Sequence, residues 1–209
     1  MSNAIITYNQ EEGLKAGGGN FISEGGAYIM KILEAKYTKA KTNTSGIEFS
    51  LESSDGQKAN YITVYYVKAD GSQVKGGMSI LNAMMGLLGA NTITSAVKRD
   101  QDGKEVFICP EFTGKTIGMF LQKSLYTKND GSDGYKFDIR VPFDPATSKT
   151  LREKIGNDQP KTIENMTNSY KDKDDRTQQQ QQNTGGYAGD MNHDSSGMNQ
   201  DNGYIPGFD

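Results

Sequence analysis

The sequence predicts a mainly β domain: a five-stranded barrel with one helix between its third and fourth strands, followed by a long polar tail. Three observations predict it. Five segments alternate apolar and polar residues with the period of two that a half-buried strand requires. One segment, Met78 to Leu88, switches to helical spacing. From Asn157 the periodicity stops and Gln, Asn, Asp, Ser and Gly take over. We therefore read residues 1–26 as an N-terminal arm, 27–156 as the folded domain and 157–209 as a flexible acidic tail.

The arm holds Gly13, Gly17 to Gly19, Gly25 and Gly26, with few core candidates. Its Gly-Gly-Gly run lacks the following Lys-Ser/Thr of a phosphate loop. The first strand runs from Ala27 to Lys39, and the lysines Lys36, Lys39 and Lys41 fall just before the turn signal Thr42 to Gly46. The second, Gly46 to Glu52, sets Ile47, Phe49 and Leu51 on one face and Glu48, Ser50 and Glu52 on the other. Asp55-Gly56 turns the chain into the third strand, Lys58 to Lys68. Ile62, Val64 and Tyr66 form its core face, while Tyr61, Thr63 and Tyr65 form an aromatic, hydroxylated face between Lys58 and Lys68.

The helix follows, with Gly89 placed to end it and its methionines filling core space. Asn91 to Lys104 reads as a helical turn and loop, and Phe107 to Phe112 as a short extra strand or a covering loop. The fourth long strand, Gly114 to Lys128, points Ile117, Met119, Leu121 and Leu125 inward and Phe120, Gln122 and Tyr126 outward, with a bulge or a sharp coil expected at Gly118. After the loop Asn129 to Gly134, the fifth strand points Tyr135, Phe137, Ile139 and Val141 inward and Lys136, Asp138 and Arg140 outward. Ser148 to Ile155 reads as a short helix capped by Ser148 or Thr150. Thr167 to Gly203 reads as disordered, because it cannot bury enough apolar area to offset the entropy of ordering.

Composition narrows function. One cysteine, in the apolar run Val106 to Cys109, excludes an intramolecular disulfide. One histidine, in the tail, leaves no zinc cluster and no plausible catalytic triad. We therefore expect no enzyme and no cofactor, although a carboxylate-based nuclease carries no motif to exclude. No apolar run approaches the length of a membrane span and no signal peptide is evident, so we expect a cytoplasmic protein without a membrane partner. The net charge of −3 gives no general attraction to nucleic acid, so any basic patch is local. The residues after Met166 hold 3 basic and 7 acidic side chains, which leaves the body nearly neutral.

Three strands, a helix and two strands is the order of the OB-fold, which binds oligonucleotides on its second and third strands and between its first-second and fourth-fifth loops. Lys36, Lys39 and Lys41 fall at the first of those loops, and Tyr126, Lys128, Tyr135 and Lys136 at the second. Flat rings stack bases and lysines meet phosphates. The candidate nucleic-acid residues are therefore Lys36, Lys39, Lys41, Lys58, Tyr61, Tyr65, Lys68, Tyr126, Lys128 and Lys136.

Gly26-Ala-Tyr28 leading into Lys31-Ile-Leu-Glu-Ala35, Gly114-Lys-Thr-Ile117, and the closing Ile205-Pro-Gly-Phe-Asp209 resemble the bacteriophage single-stranded DNA-binding proteins. The resemblance implies an OB-fold core, sequence-independent binding and protection of single strands in viral DNA replication and recombination, and a location in the infected host cell. It also implies an acidic tail whose tip recruits replication or recombination proteins. Tyr204, Ile205, Pro206, Phe208 and Asp209 would form that tip, which departs from the cellular Ile-Pro-Phe ending by Gly207 and Asp209. A free sheet edge leaves a homo-oligomer open. The other reading is a structural or protein-interaction adaptor that binds no DNA, its tyrosine face covered by another chain.

Overall fold

The computed structural model of the chain describes residues 20–100 and 103–176. The arm before Asn20 and the tail after Arg176, including the tip residues Tyr204, Ile205, Pro206, Phe208 and Asp209, lie outside the described residues.

The fold is a mainly antiparallel β-sheet with a helix after its third strand. The strands are β1 (Gly26–Lys39), β2 (Ser45–Ser53), β3 (Lys58–Val67), β4 (Ala96–Arg99), β5 (Glu105–Ile108), β6 (Thr116–Thr127), β7 (Asp133–Phe143) and β8 (Lys173–Asp174). The helices are α1 (Lys75–Leu88), α2 (Leu151–Gly156) and α3 (Lys161–Asn168). The long β1 organises the sheet: β2 pairs along one edge, and the other edge is shared by β6 near its start and β5 near its end. β3 extends the sheet beyond β2, and β7 extends it beyond β6. The predicted barrel does not close by hydrogen bonds, because no ladder pairs β3 with β7 among the described residues.

Alternation fixes the core as expected on the first three strands. Met30, Ile32, Ile47, Phe49, Leu51, Ile62 and Val64 point inward and are buried. α1 closes the interior with Leu81 and Met84, and ends at Gly89 in the left-handed region.

Several elements differ from the sequence reading. The loop expected before Lys104 contains β4, which makes a hairpin with β5 over Ala96 to Ile108. Its short, charged Ala-Val-Lys-Arg strand carries no alternation to read. Phe120 does face away from the main core, yet it is buried, because α3 covers that outer face. There it packs with Phe143 and Ile163 beside Tyr170, with the Phe120 and Tyr170 ring centres 5.8 Å apart. Gly118 is not the bulge: it pairs with Phe143, whose ring lies where a Cβ would stand, and the register shifts between Phe120 and Leu121 instead. Tyr135 is exposed and not inward, because its end of β7 runs past the core, whose last buried member on that face is Ile139.

The folded body also outruns the expected boundary at Asn157 and the disorder expected from Thr167. Thr150 caps α2 as predicted and forms a capping box with Glu153. The buried Glu153 carboxylate then accepts from the amides of Lys161 and Thr162 and from the Thr162 hydroxyl, so one side chain serves two successive helix starts. The strap from α3 to β8 lies across β6, where Tyr170 Oη accepts from the Lys123 amide at 3.1 Å and donates to Asp172 at 2.6 Å. Such a strap needs only Ile163, Met166 and Tyr170 as apolar anchors, too few to register as a pattern.

Candidate nucleic-acid interface

β3 and β7 approach each other across the open side of the sheet and leave a cleft of about 510 Å³. Lys58, Tyr61, Tyr126 and Lys136, from separate parts of the candidate set, all line it. Three aromatics outside the candidate set join them, Phe21, Tyr135 and Phe137. No Asp or Glu among the described residues lines this cleft. Five rings and two lysines therefore line one open cleft.

The backbone presents Tyr61 deliberately. Phe49 pairs with Ile62 and Leu51 with Ala59, so Asn60 and Tyr61 together oppose Ser50 in a bulge. Tyr61 takes the extra residue's place at φ +63°, in the left-handed region that an aromatic residue rarely occupies. Its side chain is 77 % exposed. Strain of this kind costs roughly 1–3 kcal/mol and collects where a side chain must be aimed.

Phe21 arrives through the arm. Ile22 N donates to Lys58 O and Lys58 N donates to Asn20 O, so residues 20–22 lie as a short parallel segment along the start of β3. Ile22 is buried in the main core, and Phe21, pointing the other way, is 51 % exposed in the cleft. The signal was an adjacent Phe-Ile pair among glycines and polar residues: two neighbours on an extended segment face opposite ways.

Tyr135 is held from behind. Phe137 meets its ring edge-on at 5.6 Å, and Lys123 Nζ lies 5.3 Å from its centre. Lys123 is itself fixed by Asp172 of the strap at 3.6 Å and by Glu24 at 3.8 Å. Tyr135 is nonetheless 46 % exposed. Tyr126 and the stem of Lys128 pack over Gly134, and Lys128 is exposed without lining the cleft itself.

The other candidates spread along and beyond β3. Tyr65 lies further along the strand, its ring over Gly46, where a Cβ would come within 2.9 Å of it. Lys68 is exposed in the turn after β3, and Lys39 and Lys41 are exposed at the β1–β2 turn. Lys36 departs from the expected role: its ammonium is bonded to Glu48 at 2.8 Å, which raises its pKa and commits its charge. The cross-strand pairing of Lys36 with Glu48 makes that ion pair, so the lysine is neutralised locally.

No known protein-family model matches this chain, and no curated protein matches it in sequence. The chemistry must be read from the surface itself. Among the described residues, no cluster of three or more His, Cys, Asp or Glu could hold a metal ion, and no helix is long and apolar enough to cross a membrane. Cys109 is buried, and burial first of all pushes its thiol pKa up, away from nucleophilic reactivity.

Proposed function

We propose that this protein binds single-stranded nucleic acid without sequence preference, with DNA of viral replication or recombination as its natural ligand. The observation that carries the proposal is the β3–β7 cleft: exposed Phe21, Tyr61 and Tyr135 with Tyr126, flanked by Lys58 and Lys136 and lined by no carboxylate among the described residues. Rings with a free face stack any base, and each is worth about 1–3 kcal/mol per base. A duplex already stacks its own bases and offers these rings nothing.

The strand order supports an OB-fold reading of the sheet. β1 lies between β2 and β6, β7 follows β6, and α1 stands between the third strand and the later ones. An OB barrel is often partly open, and its ligand lies along the strands and loops where the candidate residues fall. With about four phosphate contacts, the single-strand salt slope would be about −3. Recruitment of replication or recombination proteins belongs to the terminal Tyr204 to Asp209 segment. Removing that segment should abolish recruitment and leave strand affinity equal or slightly higher.

Fluorescence anisotropy of a labelled thymine oligonucleotide of about 30 bases, beside its duplex, tests the reading. Tight single-strand binding that weakens with salt, with poor duplex binding, is the expected result. Binding to neither would turn the account to the adaptor reading, in which another protein covers the exposed rings. Loss of intact DNA with magnesium would reveal a nuclease.

A further inference from the structure

A second cleft, of about 540 Å³, opens at the far end of β3. Tyr37 and Lys39 of β1, Tyr66 of β3 and Phe107 of β5 bring three rings and one lysine to it. No Asp or Glu among the described residues lines it. Its wall is fixed by Thr94, all of whose polar atoms are engaged. The Thr94 amide and hydroxyl donate to Glu111 at 3.0 and 2.6 Å, and its carbonyl accepts from Tyr37 Oη at 2.9 Å. The Thr94 hydroxyl and amide hold the Glu111 carboxyl down at about 2, so the latch is complete at neutral pH. Phe107 stands free on this fixed frame, 52 % exposed, and its cross-strand neighbour Val97 is exposed as well.

The two clefts lie toward opposite ends of β3. The Tyr65 ring covers Gly46, and the next residue, Ser45, lines the second cleft beside Lys39. On the face of β1 opposite Tyr37 and Phe107, Glu48 and Glu34 are bonded to Lys36 and Lys98, each at 2.8 Å. From Asn60 to Tyr66 the strand advances about 20 Å, within the reach of a strand of several nucleotides.

Building on the single-strand reading, we propose that the second cleft is a nucleobase subsite, with Phe107 as its stacking platform and Lys39 as its phosphate contact. A single strand then stacks on Tyr61 and Tyr135 at one end of β3 and on Phe107 at the other. The β4–β5 hairpin that carries Phe107 becomes the far clamp, and affinity depends on a strand long enough to reach both.

Labelled thymine oligonucleotides of about 5 and about 15 nucleotides, spanning the usual range of site sizes, separate the two ends. The unmodified protein should bind the longer one more tightly than added length alone gives. Phe107→Ala should weaken the longer about tenfold and leave the shorter within a factor of about two. Lys39→Gln should act in the same direction, and its exposed position keeps the test alive if Phe107→Ala unfolds in a thermal melt. Equal losses at both lengths, or none at either, overturn the proposal while leaving the single-strand reading intact. Failure of the unmodified protein to bind either length removes that reading, and the subsite with it.

Discussion

The sheet shows aromatics to two outer regions and treats them in opposite ways. Across the back of β6, Phe120 and Phe143 are sealed under α3 and the strap, whose Tyr170 packs on them while its Oη both accepts and donates. In the β3–β7 cleft, Phe21, Tyr61 and Tyr135 stay exposed, and Tyr61 is carried there on a left-handed bulge. An exposed ring gains little for folding, whereas a buried one contributes its full transfer free energy. The contrast teaches that this chain has the means to cover aromatics and does not use them at the cleft. The uncovered rings are therefore where we place the ligand.

If the contrast is right, substitutions on the two sides act on different observables. The largest stability loss should come from the sealed side. Phe120→Ala should cost about 3–4 kcal/mol in denaturant unfolding, with strand affinity unchanged wherever the protein is folded. Glu153→Ala should cost about 2–4 kcal/mol, because it strands donors at two helix starts. Burial pushes the Glu153 carboxyl up, but the Thr150 amide and the Thr162 hydroxyl and amide outweigh it and hold the carboxyl at about 2. A folded pKa below the unfolded 4.5 contributes stability above pH 4.5 that is lost as pH falls toward 2. Acid unfolding of the Glu153→Gln variant should accordingly show a shallower pH dependence in that window.

On the open side the signs reverse. Tyr61→Ala and Tyr135→Ala should each weaken single-strand binding by about 1–3 kcal/mol, with melting temperature nearly constant. Tyr61→Gly sharpens the comparison, since it should weaken binding and raise stability by up to about 1 kcal/mol by relieving the positive φ. A stability loss at Tyr61 would mean that the ring belongs to the fold and not to a ligand. The smallest effect falls on the lysines: Lys58→Ala or Lys136→Ala should each reduce the salt slope by about 0.7, whereas Lys36→Ala, already paired with Glu48, should barely change it.

How much of this was legible follows from the same contrast. The first three strands, α1 and its Gly89 end were readable, because each has long periodicity and one clear face. The sequence also pointed to Lys58, Tyr61, Tyr126 and Lys136, which meet in one cleft. What it could not show depends on third parties. Phe120 reads as outward and exposed, because nothing in β6 announces that α3 will cover it. Tyr135 reads as inward, because alternation tells which face a residue takes, not whether the core extends that far. The register shift that aims Tyr61 leaves no mark in Asn-Tyr-Ile, since bulges are set by pairing across strands. Lys36 could not be discounted until β2 placed Glu48 beside it.

The most direct test of the central claim is photocrosslinking of the full chain to a bromouracil-substituted single strand, with the attached peptides mapped by mass spectrometry. The account predicts crosslinks to Tyr61 and Tyr135, with Phe21 beside them, and loss of each when that ring is replaced by alanine. Crosslinks confined to the α3 strap, or an unchanged pattern in the Tyr61→Ala, Tyr135→Ala double variant, would contradict it.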